Sequence, residues 1–464
     1  MTQPINPSRR QLLSALSALA GAGALGCKSP TEGSTDTDVA ADPKLAIDHF
    51  VILMMENRSY DHVLGSLTLD EGRTELDGLT AEMFNLGPDG EAIHPHALTH
   101  ECIVDPGHSW TDSRAQFDNG LNDGFATGYA MHTGAPADEV LGYLNRETIP
   151  VTYALADEYA VCDRWFCSVM GPTWPNRFFS YAASSNGLTS NDRTAIPVPL
   201  RTVFSQLTEA GVTWAVYANI PAVILIEGIL ASGNVRPLDE FFSNLAAGTL
   251  PQVVFIEPDY GSNDDHPPAP ARLGQVLIAS LYQALAESSV WDRCAFILDY
   301  DEHGGFFDHV APPTMPDERA AQGFNQLGFR IPALVMGPYA RQAAVHTEYD
   351  HTAVIKTIQE RFGITESLNK RNDHATALWD CFDLEAMAAR TPRAPISLPV
   401  IDVNPDAYDD TCFQPSSLTG QPELEAAFDA GQLPARFDRR LNRAEDLEKL
   451  LARAARMGVV KLTG

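Results

Sequence analysis

CAFILDYDEHGG, residues 294–305, decides the fold. Its first seven residues form an apolar run of strand length, and paired glycines end it. Asp301 and Glu302 therefore stand at the carboxyl end of a buried strand, with His303 beside them. HFVILMMEN, residues 49–57, repeats the arrangement far upstream and puts Glu56 and Asn57 in the same position after their own strand. Open α/β sheets bind ligands outside the carboxyl ends of their strands. Acid and amide oxygens gathered there suit a hard divalent cation, and such a cation can polarise a phosphoryl or carbonyl oxygen. The pattern points to metal-assisted hydrolysis.

Further apolar runs, WAVYA at 214–218, VVFIE at 253–257 and IPALVMG at 331–337, alternate with helical patterns, RLGQVLIASLYQALAESS at 272–289 and HTAVIKTIQERFG at 351–363. Strands interleaved with amphipathic helices predict an α/β fold, a mainly parallel central sheet sandwiched by helices. Residues 65–150 and 219–250, rich in Gly, Asp and Asn, break the alternation and are expected to be cap insertions. The catalytic domain is placed at 45–415, followed by a helical C-terminal extension at 416–464. A chain of 464 residues exceeds the usual single core, and α/β enzymes often run long through such insertions.

Residues 1–26 read as an address rather than structure. Ser8, Arg9 and Arg10 precede a short apolar stretch from Leu12 to Leu25, the pattern of a twin-arginine export signal. About 14 residues are too few to span a bilayer, which takes roughly 20. Ala24, Leu25, Gly26 and Cys27 resemble a bacterial lipobox, so Cys27 either carries acyl chains at a mature N-terminus or is an ordinary residue near a cleavage site. Residues 27–44 are polar and aperiodic, as a flexible tether would be. The expected location is periplasmic or cell-surface. The expected partners are the twin-arginine export machinery and, through Cys27, a membrane. A formal net charge of −29 argues against nucleic acid as a partner. The composition, 44% hydrophobic and 20% charged, excludes both a disordered chain and a membrane bundle. No CxxC pair occurs among the cysteines, so no zinc cluster is indicated, while an exported chain can form disulfides.

Between the two acid clusters lies GPTWPNR, residues 171–177. Thr173 sits between two prolines where a helix begins, and a helix N-terminus offers unpaired N–H groups to an anion. Thr173 reads either as a simple helix cap or as a nucleophile whose weak hydroxyl a neighbouring cation would activate. Histidines complete the set: His108 and His266 in Gly/Pro/Asp-rich loops, His303 after the acid pair, His309 in FFDH and His351 in YDHT. Imidazole can hold non-bridging phosphoryl oxygens and protonate a leaving oxygen near neutral pH.

HFVILMMENRSYDH, GPTWPNR, DYDEHGGFFDHV, GFRIPALVMGPYAR and YDHTAVIKTIQERFG, in this order over about residues 47–365, resemble the bacterial phosphoesterase family. That family includes phosphatidylcholine-type phospholipases C and a secreted acid phosphatase, within the alkaline phosphatase-like superfamily. The resemblance implies that Glu56, Asn57, Asp301 and Glu302 hold a single divalent metal together with Thr173 as nucleophile. It implies His108 and His266 beside the phosphate, with His266 protonating the leaving group. Asn176, His303 and His351 are expected as phosphate-binding or supporting residues. Asp61, His62, Asp308 and His309 are expected to be supporting or structural. The metal could be Ca²⁺, Mg²⁺, Mn²⁺, Zn²⁺ or iron.

The substrate implied is a phospholipid or a small phosphate ester, cleaved through a phosphothreonine intermediate. Only about 100 residues follow the last motif, whereas long phospholipases C carry extra C-terminal domains, so a phosphatase acting on soluble phosphomonoesters is the alternative. The C/S-x-P-x-R string that sulfatases mature is absent. A non-catalytic binding lipoprotein is the rival from another class, and the intact ligand and nucleophile set speaks against it. Cys27→Ser is expected to move the protein from the membrane to the soluble fraction, and unchanged fractionation would remove the lipid anchor.

Overall fold

HFVILMM and CAFILDY are buried on both faces, which is why neither shows the alternation of a half-exposed strand. They become two neighbouring central strands of an eight-stranded sheet. The computed structural model describes residues 42–408, 412 and 420–463. The expectations on Cys27, the export signal and most of the tether lie outside the described residues.

The sheet strands are β1 (His49–Met55), β2 (Ala160–Cys162), β3 (Trp214–Tyr217), β4 (Val235–Arg236), β5 (Val253–Ile256), β6 (Cys294–Tyr300), β7 (Leu334–Met336) and β8 (Ala343–Val345). Their order is β8-β2-β7-β6-β1-β5-β3-β4. The pairs from β6 through β1, β5 and β3 to β4 are parallel, as is β8 with β2. β7 runs antiparallel to both β6 and β2. The sheet is thus mainly parallel with one reversed strand, flanked by helices.

The principal helices are α1 (Trp110–Phe117), α2 (Phe125–Thr133), α3 (Thr173–Ala182), α4 (Ala271–Ala286), α5 (Thr352–Phe362), α6 (Pro422–Asp429) and α7 (Arg443–Arg456). α4 packs with the helix Pro150–Glu158 and with α7, while α3 packs with α5 and the helix Val203–Glu209. Among the described residues no helix is long and apolar enough to cross a membrane.

The 65–150 stretch builds a second apolar cluster that includes Phe125, Tyr129 and Leu141. Phe306 and Phe307, directly after the DEHGG string, join that cluster and so fasten the insertion to the end of β6. The 219–250 stretch differs from the cap insertion expected of it. It supplies β4 to the edge of the main sheet and then a helix, Leu238–Ala246. A two-residue strand is too short to leave a period in the sequence. The described part of the C-terminal segment is stitched to the body by parallel pairing of β9 (Ile401–Val403) with β10 (Val460–Leu462).

Arg330 explains several motif residues at once. Its guanidinium, fully buried, pairs with Asp61 at 3.0 Å and Asp308 at 2.9 Å. His309 closes the network through Asp61 at 2.7 Å and Asp77 at 3.1 Å. The SYDH, FFDH and GFR strings are thereby joined into one buried ion network under the loops that follow β1 and β6, so these acids and His309 are structural. Burial opposes the charge on His309, but Asp61 and Asp77 outweigh it and raise its pKa to about 10. Burial likewise opposes ionisation of Asp61, yet His309 and Arg330 hold it below the ordinary aspartate value.

Arg330→Met is expected to cost roughly 3–5 kcal/mol by stranding buried carboxylates, read as a lower urea midpoint at unchanged slope. The His309 contribution should be complete below pH 6.5 and vanish as pH rises through about 10, and the Asp61 contribution should vanish as pH falls. A His309→Asn variant whose midpoint follows the same alkaline course as the parent would contradict this assignment.

Candidate active site

Register decides where the chemistry sits. Met55 of β1 is opposite Tyr300 of β6, so Glu56–Asn57 and Asp301–Glu302 leave the sheet side by side. The Asp301 N–H donates to the Met55 carbonyl at 3.1 Å, and the Arg58 N–H donates to the Glu302 carbonyl at 3.1 Å. On the other side of β1, β5 ends in Glu257 and leads to the Asp264–His266 loop, whose Asp264 carbonyl accepts the Glu56 N–H at 2.8 Å. Three parallel strands thus deliver their carboxyl ends to one place, as α/β sheets do.

Asn57 holds a left-handed backbone, φ 58°, and its N–H donates to Asp301 Oδ1 at 3.0 Å. Gly304 lies so close that an added Cβ would stand 2.0 Å from the Asn57 carbonyl oxygen. This is why glycine stands two residues after Glu302.

Thr173 is the first residue of α3 and is buried, and no side chain caps this helix. The simple cap reading of Thr173 is therefore not what the structure shows. Thr173 and Arg177 are four residues apart and share one helix face. Arg177, fully buried, lies between the strand ends. Its Nη2 is 3.2 Å from Glu56 Oε1, its Nε 3.4 Å from Asp301 Oδ2 and its Nη1 3.7 Å from Glu257 Oε2. The Thr173 face of α3 is thereby turned to the acid cluster. Asn176 has a different task from phosphate binding. Its amide accepts from the Val169 N–H and donates to the Gly171 carbonyl at 2.9 Å, which fixes the turn ahead of Thr173.

The hydrogen bonds separate a satisfied acid from residues with an oxygen left over. Glu257 accepts from Ala222 and Val223 N–H groups and from the Tyr181 and Tyr260 hydroxyls. By contrast, Glu56 Oε2, Asn57 Oδ1, Asp301 Oδ2 and Glu302 Oε1 are buried with no hydrogen-bond partner. Unpaired buried oxygens are costly and rare. Four on four adjacent residues fit a bound divalent cation, with all-oxygen donors suited to a hard ion. Electrostatics agree. Burial raises the pKa of Glu302 to about 7 against the pull of His108, and that of Asp301 to about 6 against the pull of Arg177. Burial also lifts Glu56 well above the glutamate range, opposed by Arg177. A cation would restore all three to carboxylates.

The histidines divide into two kinds. His108 and His266 stand with ring centroids 5.9 Å apart. Each points Nδ1 at a carbonyl of its own loop, Pro106 or Pro267, at 2.7 Å, which leaves Nε2 for the site. His108 Nε2 lies 3.3 Å from Asn57 Nδ2 and 3.7 Å from Glu302 Oε1. Burial disfavours its charge, but Glu302 and Asp105 outweigh burial and raise its pKa to about 9. Asp105, His108 and His266 bring one ligand atom each to within 4.8 Å of one another. This nitrogen-containing group abuts the oxygen set at the strand ends through His108.

His303 and His351 act from behind. His303 Nε2 meets Gln116 Oε1 at 2.8 Å, and its ring packs on Phe329. His351 Nε2 meets the Asp301 carbonyl at 2.7 Å. Burial, with His108 adding repulsion, lowers the pKa of His303 to about 3, and burial lowers that of His351 to about 4, so both are neutral props.

The sequence profile of the phosphoesterase family matches residues 47–365, the span that carries every strand-end residue described above. The chain belongs to the phosphoesterase family. It is a hydrolase of phosphoric ester bonds. Phospholipase C A of Mycobacterium tuberculosis is 31% identical over 382 residues, covering 68% of this chain and 73% of that protein. Non-specific phospholipase C3 of Arabidopsis thaliana is 31% identical over 405 residues, covering 76% of each. Among solved structures, the phosphonate monoester hydrolase of Agrobacterium radiobacter superposes with a TM-score of 0.34 at 11% identity, over 88% of this chain and 96% of that one.

Three features of this phosphoesterase site lay beyond the sequence reading: Arg177 as the central counter-charge, Asp105 beside the two histidines, and Gln421 against Glu56. Arg177 had a signal in its four-residue spacing from Thr173. Gln421 had none. Gly304→Ala is expected to displace Asn57 and to cut hydrolysis by roughly a hundredfold, the scale of an ångström-sized misplacement. Gly363→Ala is the control, since Gly363 has a similar φ, +67°, and nothing within 4 Å of the added Cβ. Equal turnover in the two variants would refute the close-approach argument.

Proposed function

We propose that this phosphoesterase is exported and metal-dependent, and that it acts as a phospholipase C, cleaving the phosphodiester of a lipid through a phosphothreonine intermediate at Thr173. The observation that carries the proposal is the set of four buried oxygens without a hydrogen bond on Glu56, Asn57, Asp301 and Glu302, beside Arg177 of the helix whose first residue is Thr173. The names of the relatives, phospholipases C from a bacterium and a plant, support the choice of substrate class.

Glu56, Asn57, Asp301 and Glu302 would hold the cation, which when bound lowers the pKa of a nearby hydroxyl and balances charge on phosphoryl oxygens. The chain's own residues do the rest. Thr173 Oγ1, its proton passed to solvent, forms the new bond to phosphorus in line with the departing alcohol oxygen. His108, carrying a proton at neutral pH, and the start of α3 hold the equatorial oxygens. His266, with Nδ1 tied to Pro267, gives the Nε2 proton to the leaving alcohol as the phosphorus–oxygen bond breaks. Water then attacks the phosphothreonine, His266 Nε2 taking its proton, and Thr173 is released with a proton from solvent. Buried Trp174, whose indole N–H is already bonded to Gln421, is a packing element rather than an open choline platform.

The test sets p-nitrophenylphosphorylcholine beside p-nitrophenyl phosphate, with Thr173→Ala as the blank. Diester cleavage that disappears in Thr173→Ala supports the proposal. Cleavage of the monoester alone makes the enzyme a phosphatase, and full activity of Thr173→Ala removes the phosphothreonine. Exhaustive chelation is expected to abolish turnover and added divalent ion to restore it, whereas activity surviving chelation would remove the metal.

A further inference from the structure

The family profile ends at residue 365, yet the catalytic centre receives two neighbouring residues from beyond it. Gln421, itself 1% exposed, reaches the strand end between β1 and α3. Its Nε2 donates to Glu56 Oε1 at 2.8 Å, and its Oε1 accepts from the Trp174 indole N–H at 2.9 Å. One amide thus bridges a proposed metal ligand and the residue next to the proposed nucleophile. Gly420, at φ +70°, lies against His266, where an added Cβ would stand 3.2 Å from Nδ1. Upstream, Cys412 is disulfide-bonded to Cys102, on the loop that leads to Asp105 and His108.

We propose that Gln421 is a positioning residue of the active site, supplied by the C-terminal segment, and that it sets which oxygen of Glu56 is available to the cation. The reasoning rests on the metal-dependent reading above. Glu56 Oε1 takes donors from both Gln421 and Arg177, whereas Oε2 has none. Two donors on one oxygen lock the carboxylate rotamer and leave the other oxygen free. Partners of this kind orient ligands and tune metal affinity. The second bond, to Trp174, couples the same amide to the first turn of α3. The metal site is therefore completed by a segment outside the matched family span. In an oxidising compartment the Cys102–Cys412 disulfide lowers the entropic cost of docking, because it ties the segment to the loop that carries His108.

The experiment measures binding of Mn²⁺ and then Ca²⁺ to the full mature chain by titration calorimetry, together with kcat and KM. Four proteins are compared: the parent, Gln421→Ala, Gln421→Met and Leu424→Ala. Gln421→Met keeps the volume while removing both hydrogen bonds, so it guards against simple misfolding. Leu424→Ala weakens the packing of the same segment, since Leu424 is fully buried in the main core, but leaves the amide in place. The expected result is metal binding weaker by roughly 10- to 100-fold in both Gln421 variants, with kcat reduced more than KM is raised. Leu424→Ala should lower the melting temperature with near-parental metal affinity. Parental affinity and kcat in Gln421→Met would overturn the proposal. So would an equal loss of affinity in Leu424→Ala, which would make the segment mere packing. A parent that binds neither ion would overturn this inference, and activity that also survives exhaustive chelation would sink the metal-dependent reading itself.

Discussion

Arg177 holds the ends of two parallel strands together at a point where buried carboxylates would otherwise repel them. Its guanidinium bonds the carbonyls of Met54 and Met55 as well as Glu56, and approaches Asp301 across the sheet. A single buried cation facing Glu56, Asp301 and Glu257 cannot neutralise all three, Glu302 has only His108 opposite it at 3.7 Å, and both carboxylate oxygens of Asp299 lack a hydrogen-bond partner. Burial raises the pKa of Asp299 far above its ordinary value for the same reason. The fold therefore concentrates negative charge that its own side chains do not balance, a state stable only with a further positive partner or with protons. The cation proposed above would meet that need, and the charge it brings would offset the phosphate ester that the same site is proposed to take.

The central strands and the residues at their carboxyl ends were legible in the sequence because continuous apolar runs of seven residues, followed by acids and glycines, have few other readings. The α4 and α5 patterns were legible for the same reason, since each is long and periodic. β2, β4 and β8 are two or three residues long and carry no period. The reversed direction of β7 could not be read from IPALVMG either, because direction is set by the connection and not by composition.

Positions within the site were legible to the extent that a motif keeps its residues close in the chain. Asp301 to Gly304 lie on one loop, so local spacing carried them, whereas the place of Arg177 between the strand ends did not show in its spacing from Thr173. Asn176 shows the limit of this logic. It sits inside the motif yet spends its amide on the turn beneath Thr173. Gln421 is the opposite case, outside every motif and bonded to Glu56 from a sequence separation of 365 residues. Asp105, three residues from His108, meets His266 because the 65–150 insertion folds back on the strand ends.

Positional precision in this site does not come from the loops that carry the chemistry, because loops alone are the softest part of an α/β fold. It comes from buried contacts that fasten each loop elsewhere. Arg330 binds the loops after β1 and β6 through Asp61 and Asp308, Phe306 and Phe307 anchor the DEHGG turn in the second core, and His351 braces the Asp301 carbonyl. The Cys102–Cys412 disulfide and Gln421 do the same for the His108 loop and Glu56. Each of these contacts joins one loop to a residue outside it, so the oxygens at the strand ends are held together by packing they do not themselves take part in. A site of this kind can keep these acceptor oxygens close together against their mutual repulsion because moving apart would require breaking the buried network first.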